Sequence, residues 1–341
     1  MPNIVACAQG ENHILVLTDT NELYASGKNE MGQLGNGTIK SHSKPLKIEG
    51  IPDKVTAIAA CNNYSLVLTN KREVYGWGDN STNQLGGNNY PLTFLAPTKI
   101  TDLPEDIVSI SAEFLKSLFL TSKGEIFCLG NRGLSSALIN ISKKPFSRKF
   151  LIFNKNIVSL CSSLSHSLAI DKKGNMFAWG WNSNNQLGNA DIKYLVKPKR
   201  VGGIPDKVVD IAANIQSSLA LTSKSEIYQW GKVSLKNPDR KYLSYNSIIP
   251  QKVTGIEGIG VKIAAGRTFS LVLTNNGKVF GWGYINSKLD KNSYGFEYIP
   301  TLIEGLHPSL ISSIFSSNGT IPKLSDLDNF QRYVLCQDIA L

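Results

Sequence analysis

Apolar and polar positions along this chain follow a pattern that returns about every 51 residues. Its clearest element is a short apolar run closed by a polar residue, Leu15-Val16-Leu17-Thr18. The run recurs as Leu66-Val67-Leu68-Thr69, Leu118-Phe119-Leu120-Thr121, Leu168-Ala169-Ile170-Asp171, Leu219-Ala220-Leu221-Thr222 and Leu271-Val272-Leu273-Thr274. Successive copies begin 51, 52, 50, 51 and 52 residues apart, and a period of that size marks a repeat architecture. Turn residues (Gly, Asn, Ser and Pro) separate the apolar runs, so each run predicts a short strand. In the second repeat four strand signals follow one another, at residues 55–60, 65–69, 73–76 and 97–100. The first signal of a repeat is made of small and β-branched residues, as in Ile58-Ala59-Ala60, Ile211-Ala212-Ala213 and Ile263-Ala264-Ala265, which suits a crowded inner strand. No stretch holds a helical period long enough for an amphipathic helix.

Other landmarks keep the same step. An aromatic-Gly pair follows each run, at Trp77-Gly78, Trp179-Gly180, Trp230-Gly231 and Trp282-Gly283, with Ser26-Gly27 and Leu129-Gly130 as weaker copies. The pattern G-x-N-x-x-x-Q-L-G opens at Gly27, Gly78 and Gly180, and a proline then starts the last strand, at Pro45, Pro97, Pro198, Pro250 and Pro300. Ile51-Pro52-Asp53-Lys54-Val55 returns verbatim as Ile204-Pro205-Asp206-Lys207-Val208, the mark of a tandem duplication. Four strands per unit, repeated radially, predict an all-β chain folded as a β-propeller. Blades of about 51 residues fall at about 5–54, 55–106, 107–156, 157–207, 208–259 and 260–310. Residues 311–341 read as an incomplete seventh, with Ile311-Ser312-Ser313-Ile314 and Tyr333-Val334-Leu335 as its strands. The whole of 1–341 is expected to form one propeller domain.

Composition narrows the function classes. Apolar residues make up 42% of the 341 and charged residues 18%, enough for a packed core and too apolar for a disordered chain. No stretch approaches the ~20 apolar residues that cross a bilayer, and Met1-Pro2-Asn3 lacks a basic region before an apolar one. The expectation is a soluble, cytoplasmic protein. Five cysteines, an odd number without a C-x-x-C pair, fit buried thiols in a reducing compartment better than disulfides or zinc. The net charge of +10 suits an acidic protein face or an anionic surface, with basic clusters at 143–149, 197–200 and 236–241. Basic and aromatic residues do not alternate as stacking platforms do, so nucleic acid is not expected as a sequence-specific target. Four scattered histidines offer no metal-ligand spacing. The glycine-rich turns lack the Lys-Ser or Lys-Thr of a phosphate loop, and no nucleophile elbow or zincin motif occurs. No catalytic residue, metal or cofactor is expected.

These motifs resemble the regulator of chromosome condensation repeat family, whose unit reads approximately A-x-G-x-x-H-[ST]-x-[AV]-L-T-x-x-G-x-[VL]-[YF]-x-W-G-x-N-x-x-G-Q-L-G. Repeat 1 matches closely through Gly10, His13, Gly27, Asn29 and Gln33-Leu34-Gly35. Repeats 2, 4 and 6 match well, while 3 and 5 keep the strands without the signature turn; the resemblance spans about 90% of the chain. It implies a seven-bladed propeller that binds a small GTPase, Ran in the best-known case, and promotes guanine-nucleotide exchange. Lys-, Asn- and Ile-rich composition fits an AT-rich genome, and with it an effector acting on a host Ran-type GTPase. The alternative is a non-catalytic binder, an inhibitor or scaffold, with or without chromatin or anionic-membrane association.

In exchange factors of this family the turn after the inner strand faces the GTPase. Carried over, those turns are 10–13, 61–64, 113–116, 163–166, 214–217 and 266–269. The partner-binding set is then Glu11, His13, Asn62, Tyr64, Phe114, Leu115, Leu164, His166, Ile215 and Arg267. The family carries aspartates there, and none of these six turns contains one. His13 and His166 either brace their turns by hydrogen bonding or touch the partner. Phe114, Leu115, Leu164 and Ile215 stand where a solvated turn would place Asn, Asp or Gly. They either form an apolar binding arc or fold inward over the channel mouth. The family's exchange wedge would match residues 131–150, which are too divergent to align.

Overall fold

The computed structural model describes residues 4–87, 91–130, 150–154, 156–189, 193–236, 242–266, 269–285 and 295–303. Every regular element among them is a β-strand, and no helix is long and apolar enough to cross a membrane. The strands make six antiparallel four-stranded sheets, each a meander in sequence order. The first sheet is β1 (Ile4–Gln9), β2 (His13–Thr18), β3 (Leu23–Gly27) and β4 (His42–Lys47); the second is β5 (Val55–Cys61), β6 (Tyr64–Thr69), β7 (Val74–Asp79) and β8 (Thr93–Lys99). The third holds β9 (Ile107–Glu113), β10 (Lys116–Thr121), β11 (Glu125–Gly130) and β12 (Phe150–Asn154), and the fourth β13 (Ile157–Ser162), β14 (His166–Asp171), β15 (Met176–Trp181) and β16 (Tyr194–Arg200). The fifth holds β17 (Val208–Ala213), β18 (Ser217–Thr222), β19 (Ile227–Lys236) and β20 (Tyr242–Lys252), and the sixth β21 (Gly260–Ala265), β22 (Phe269–Thr274), β23 (Val279–Ile285) and β24 (Gly295–Leu302). The sequence predicts seven blades, the last incomplete; the described residues form six sheets, and 311–341 lie outside them. Two compact units divide the chain after Ile157, the first carrying sheets one to three and the second sheets four to six.

Within each unit the apolar core sits between successive sheets. Leu15 and Ala25 of the first sheet, with Leu34 from its β3–β4 loop, pack with Val67 and Trp77 of the second. In the second unit Leu168, Ala178 and Leu187 pack with Ala220 and Trp230, and Leu219 and Leu221 pack with Val272 and Trp282. The aromatic-Gly pair explains itself in register. Tyr64 opens β6 directly opposite Gly78 of β7. A Cβ on Gly78 would lie 2.4 Å from the Asn63 carbonyl oxygen, and its φ of +94° belongs to glycine. The same pairing joins His13 to Gly27, Lys116 to Gly130, His166 to Gly180, Ser217 to Gly231 and Phe269 to Gly283.

One boundary differs from the sequence reading, which starts the outer strand at its proline. In the second sheet β8 begins at Thr93, and Pro97 lies inside it, where the register jumps from Gly76↔Thr98 to Gly78↔Phe94. Pro198, Pro250 and Pro300 sit at the same irregularity in their sheets. A proline lacks the N–H that a ladder needs, so an edge strand takes it at a bulge.

Candidate functional site

The turns after the inner strands are held by hydrogen bonds that run from one sheet to the next. In the first unit, the Asn29 carboxamide oxygen accepts from Leu34 N–H at 2.8 Å and so bends the G-x-N-x-x-x-Q-L-G segment into a fixed turn. Asn80 and Asn182 do the same for Leu85 and Leu187. That turn presents the Gln33 carbonyl, which accepts from both the Ser65 hydroxyl and the Trp77 indole N–H at 2.9 Å. Ser65 has spent its one proton on Gln33, so His13 Nε2, 2.9 Å away, is the donor to Ser65 Oγ. This hydrogen-bond network assigns His13 as neutral with Nδ1 bare. Burial lowers its pKa to about 4.

The second unit repeats the device. His166 Nε2 lies 2.7 Å from Ser218 Oγ, whose proton goes to the Gln186 carbonyl at 2.7 Å. Tyr64 occupies the histidine position of the second sheet and reaches the third instead. Its hydroxyl lies 2.9 Å from the Glu113 carbonyl and 2.7 Å from that of Lys116, and burial raises its pKa well above the ordinary value.

The ten carried-over residues therefore separate by environment. His13, Asn62, Tyr64 and His166 are buried, and the three ring side chains are occupied by neighbouring sheets. Of the two readings for His13 and His166, the structure supports bracing: a fully buried ring cannot meet a partner. For Tyr64 and Asn62 the same correction holds. Glu11, Leu115, Leu164 and Ile215 are half-buried. Phe114 is 44% exposed. Arg267 and the wedge stretch 131–149 lie outside the described residues.

The first unit brings its turns into a row. Glu11 N–H donates to the Asn62 carbonyl at 2.9 Å, and Tyr64 joins the 61–64 turn to 113–116. In the second unit the Ser165 hydroxyl donates to the Ile215 carbonyl at 2.7 Å, linking 163–166 to 214–217. Sequence reasoning missed the pair that shapes the Phe114 turn. Lys116 stands at the histidine position, and its Nζ lies 3.1 Å from Glu113 Oε1 with both side chains nearly buried. A glutamate three residues before a lysine, at a position that holds His, Tyr, Ser or Phe in the other repeats, was the available signal. The ion pair closes the turn on itself and leaves Phe114 at its tip. The described turns thus combine backbone fixed by hydrogen bonds between sheets with one exposed aromatic, Phe114, and half-buried Leu115, Leu164 and Ile215.

Comparison with known proteins bears on this face. The RCC1-like domain profile matches residues 1–319. The RCC2 homolog of Danio rerio is 26% identical over 301 residues, covering 80% of this chain and 59% of that protein. The chain thus spans about three fifths of the length of the curated relatives it matches. Yeast RCC1 (Prp20), in its complex with Kap60, superposes with a TM-score of 0.74 at 25% identity, over 89% of this chain and 75% of that one. A second structure of Prp20p from Saccharomyces cerevisiae, at 23% identity and a TM-score of 0.72, covers 89% and 77%; that protein is described as binding Gsp1p and histones. By this likeness the six sheets are four-stranded blades of an all-β propeller.

Proposed function

Because the chain belongs to the RCC1-like domain family, we propose that it binds a small GTPase of the Ran type through the turns that follow its inner strands. The observation that carries the reading is Phe114, a large apolar side chain held outward on a turn braced by Tyr64 and the Glu113–Lys116 pair. Leu115 beside it, and Leu164 and Ile215 on the matching turns of the second unit, add apolar surface, and Glu11 adds a charge. His13, Tyr64 and His166 are positioning residues in this scheme: they lock turn to sheet so that binding costs little ordering. Promotion of nucleotide exchange would follow from preference for one state of the GTPase. A face that binds the nucleotide-free form more tightly than the loaded form shifts the population toward release, with no acid or base supplied.

The second reading, a binder that inhibits or scaffolds without exchange, draws on the absence of Asp from all six turns. One experiment separates the readings. Interface energy concentrates in a few residues, whose truncation costs about 2 kcal/mol or more. The Phe114→Ala, Ile215→Ala double variant should bind a Ran-type GTPase at least tenfold more weakly, by surface plasmon resonance, with its melting temperature nearly unchanged. Accelerated nucleotide release by the wild type supports exchange, and binding without acceleration supports the scaffold. Undiminished binding by the double variant rejects this face.

A further inference from the structure

The repeat itself exposes an irregular blade. In the first, second and fifth sheets the third strand is preceded or opened by a glutamate that pairs with a lysine on the outer strand: Glu22 with Lys47 at 3.0 Å, Glu73 with Lys99 at 2.5 Å and Glu226 with Lys252 at 2.6 Å. In each, the lysine's hydrogen bond lowers the carboxyl's pKa. Arg200 stands at the matching place in the fourth sheet, opposite Phe177 as Lys99 is opposite Tyr75. The glutamate has become Asn175. A carboxylate is present four residues earlier, where Asp171 replaces the threonine of Thr69 and Thr222, but it is buried and committed to its own turn. Its oxygens accept from Lys173 N–H at 2.9 Å and from the Asn175 backbone and side-chain N–H groups, both at 2.8 Å.

Lys173 has lost its partner position too. Lys71 and Lys224 pair at 2.8 Å with Asp53 and Asp206, and the residue of the sequence that matches Asp53 in the fourth repeat is Lys155. A cavity of about 190 Å³ opens here, lined among others by Lys173, Gly174, Arg200, Asp206 and Lys207. Its wall is set by a close approach. Gly174, at φ +81°, lies against Lys207, where a Cβ would come within 2.6 Å of the lysine Cβ, and its carbonyl accepts from Val208 N–H at 3.0 Å. Asp206 is neutralised by Lys224. Among the described residues none of Lys173, Arg200 and Lys207 makes an ion pair.

We propose that this cavity of the fourth blade is an anion site that takes a phosphate group, either free or as a phosphate monoester. Three cations that pair with no carboxylate among the described residues line a recess with room for a tetrahedral dianion, and a planar guanidinium suits two of its oxygens. The first, second and fifth blades hold a glutamate–lysine pair at the matching place, which the fourth replaces with Asn175 and Arg200.

Calorimetric titration of the full chain with inorganic phosphate and with O-phosphoserine, at fixed ionic strength in a buffer free of phosphate, tests it. One saturable site is expected; tighter binding of phosphoserine identifies a monoester and equal binding identifies free phosphate. The double substitution Asp171→Thr, Asn175→Glu rewrites the blade to the pattern of its sisters at constant net charge. It should weaken binding at least tenfold with the melting temperature preserved, and Arg200→Gln should do the same if the double variant folds poorly. Absence of a saturable site, full competition by chloride at matched ionic strength, or wild-type affinity in Arg200→Gln would overturn the proposal.

Discussion

Replacing Trp77 by Ala is expected to cost roughly 3–5 kcal/mol of stability, the range for truncating a large buried aromatic. The indole is wholly buried between the first and second sheets. Its N–H donates to the Gln33 carbonyl at 2.9 Å, and Gly35 backs onto the ring so closely that a Cβ there would lie 2.6 Å from Nε1. Truncation removes the packing and leaves a cavity that rigid strands cannot fill. It also leaves the Gln33 carbonyl with one donor fewer. Urea denaturation followed by circular dichroism measures the effect. A loss below about 1 kcal/mol would mean that the sheets do not depend on this contact for their docking. Trp77→Phe, which keeps most of the volume but not the N–H, should fall between the two.

Acid should loosen the same seam. His13 titrates near 6.5 when unfolded, whereas burial holds it to about 4 in the folded chain. Between those values the unfolded state binds more protons, so stability falls as the pH drops from about 6.5 toward 4 and is flat above. The full difference corresponds to roughly 3 kcal/mol as an upper figure. His13→Gln should flatten the part of the pH dependence that belongs to this residue, read as the change in urea midpoint between pH 7 and pH 4.5. An unchanged slope in that variant would show that the ring is not the acid-sensitive group.

How much of this was legible in the sequence depends on the range of the interaction concerned. The apolar runs and the Trp-Gly pairs report local strand chemistry, and they locate six meanders with their inner strands. The tryptophans read as core from their period alone, and the structure buries all four. Pro97 misled because a proline reads as a boundary in one dimension, while the edge strand that contains it is defined by register with its neighbour. His13 and His166 left two readings open, since their partners Ser65 and Ser218 lie 52 residues away on another sheet. Tyr64 and Asn62 enter the binding set only because the family resemblance carries over whole turns, whichever of their residues are buried. Here the turns press against the next sheet, so position within the turn decides burial. Lys116 escaped notice because a lysine is ordinarily solvated, and only its buried ion pair with Glu113 reveals what it does.

The central claim is that a face of braced apolar turns recognises one state of a small GTPase. Titrating the full chain into a Ran-type GTPase, once nucleotide-free and once loaded with GDP and Mg²⁺, tests it most directly. Binding is expected in both cases, at least tenfold tighter to the nucleotide-free form, with the preference reduced by Phe114→Ala. Absence of binding to either form, or binding that Phe114→Ala leaves untouched, would contradict it.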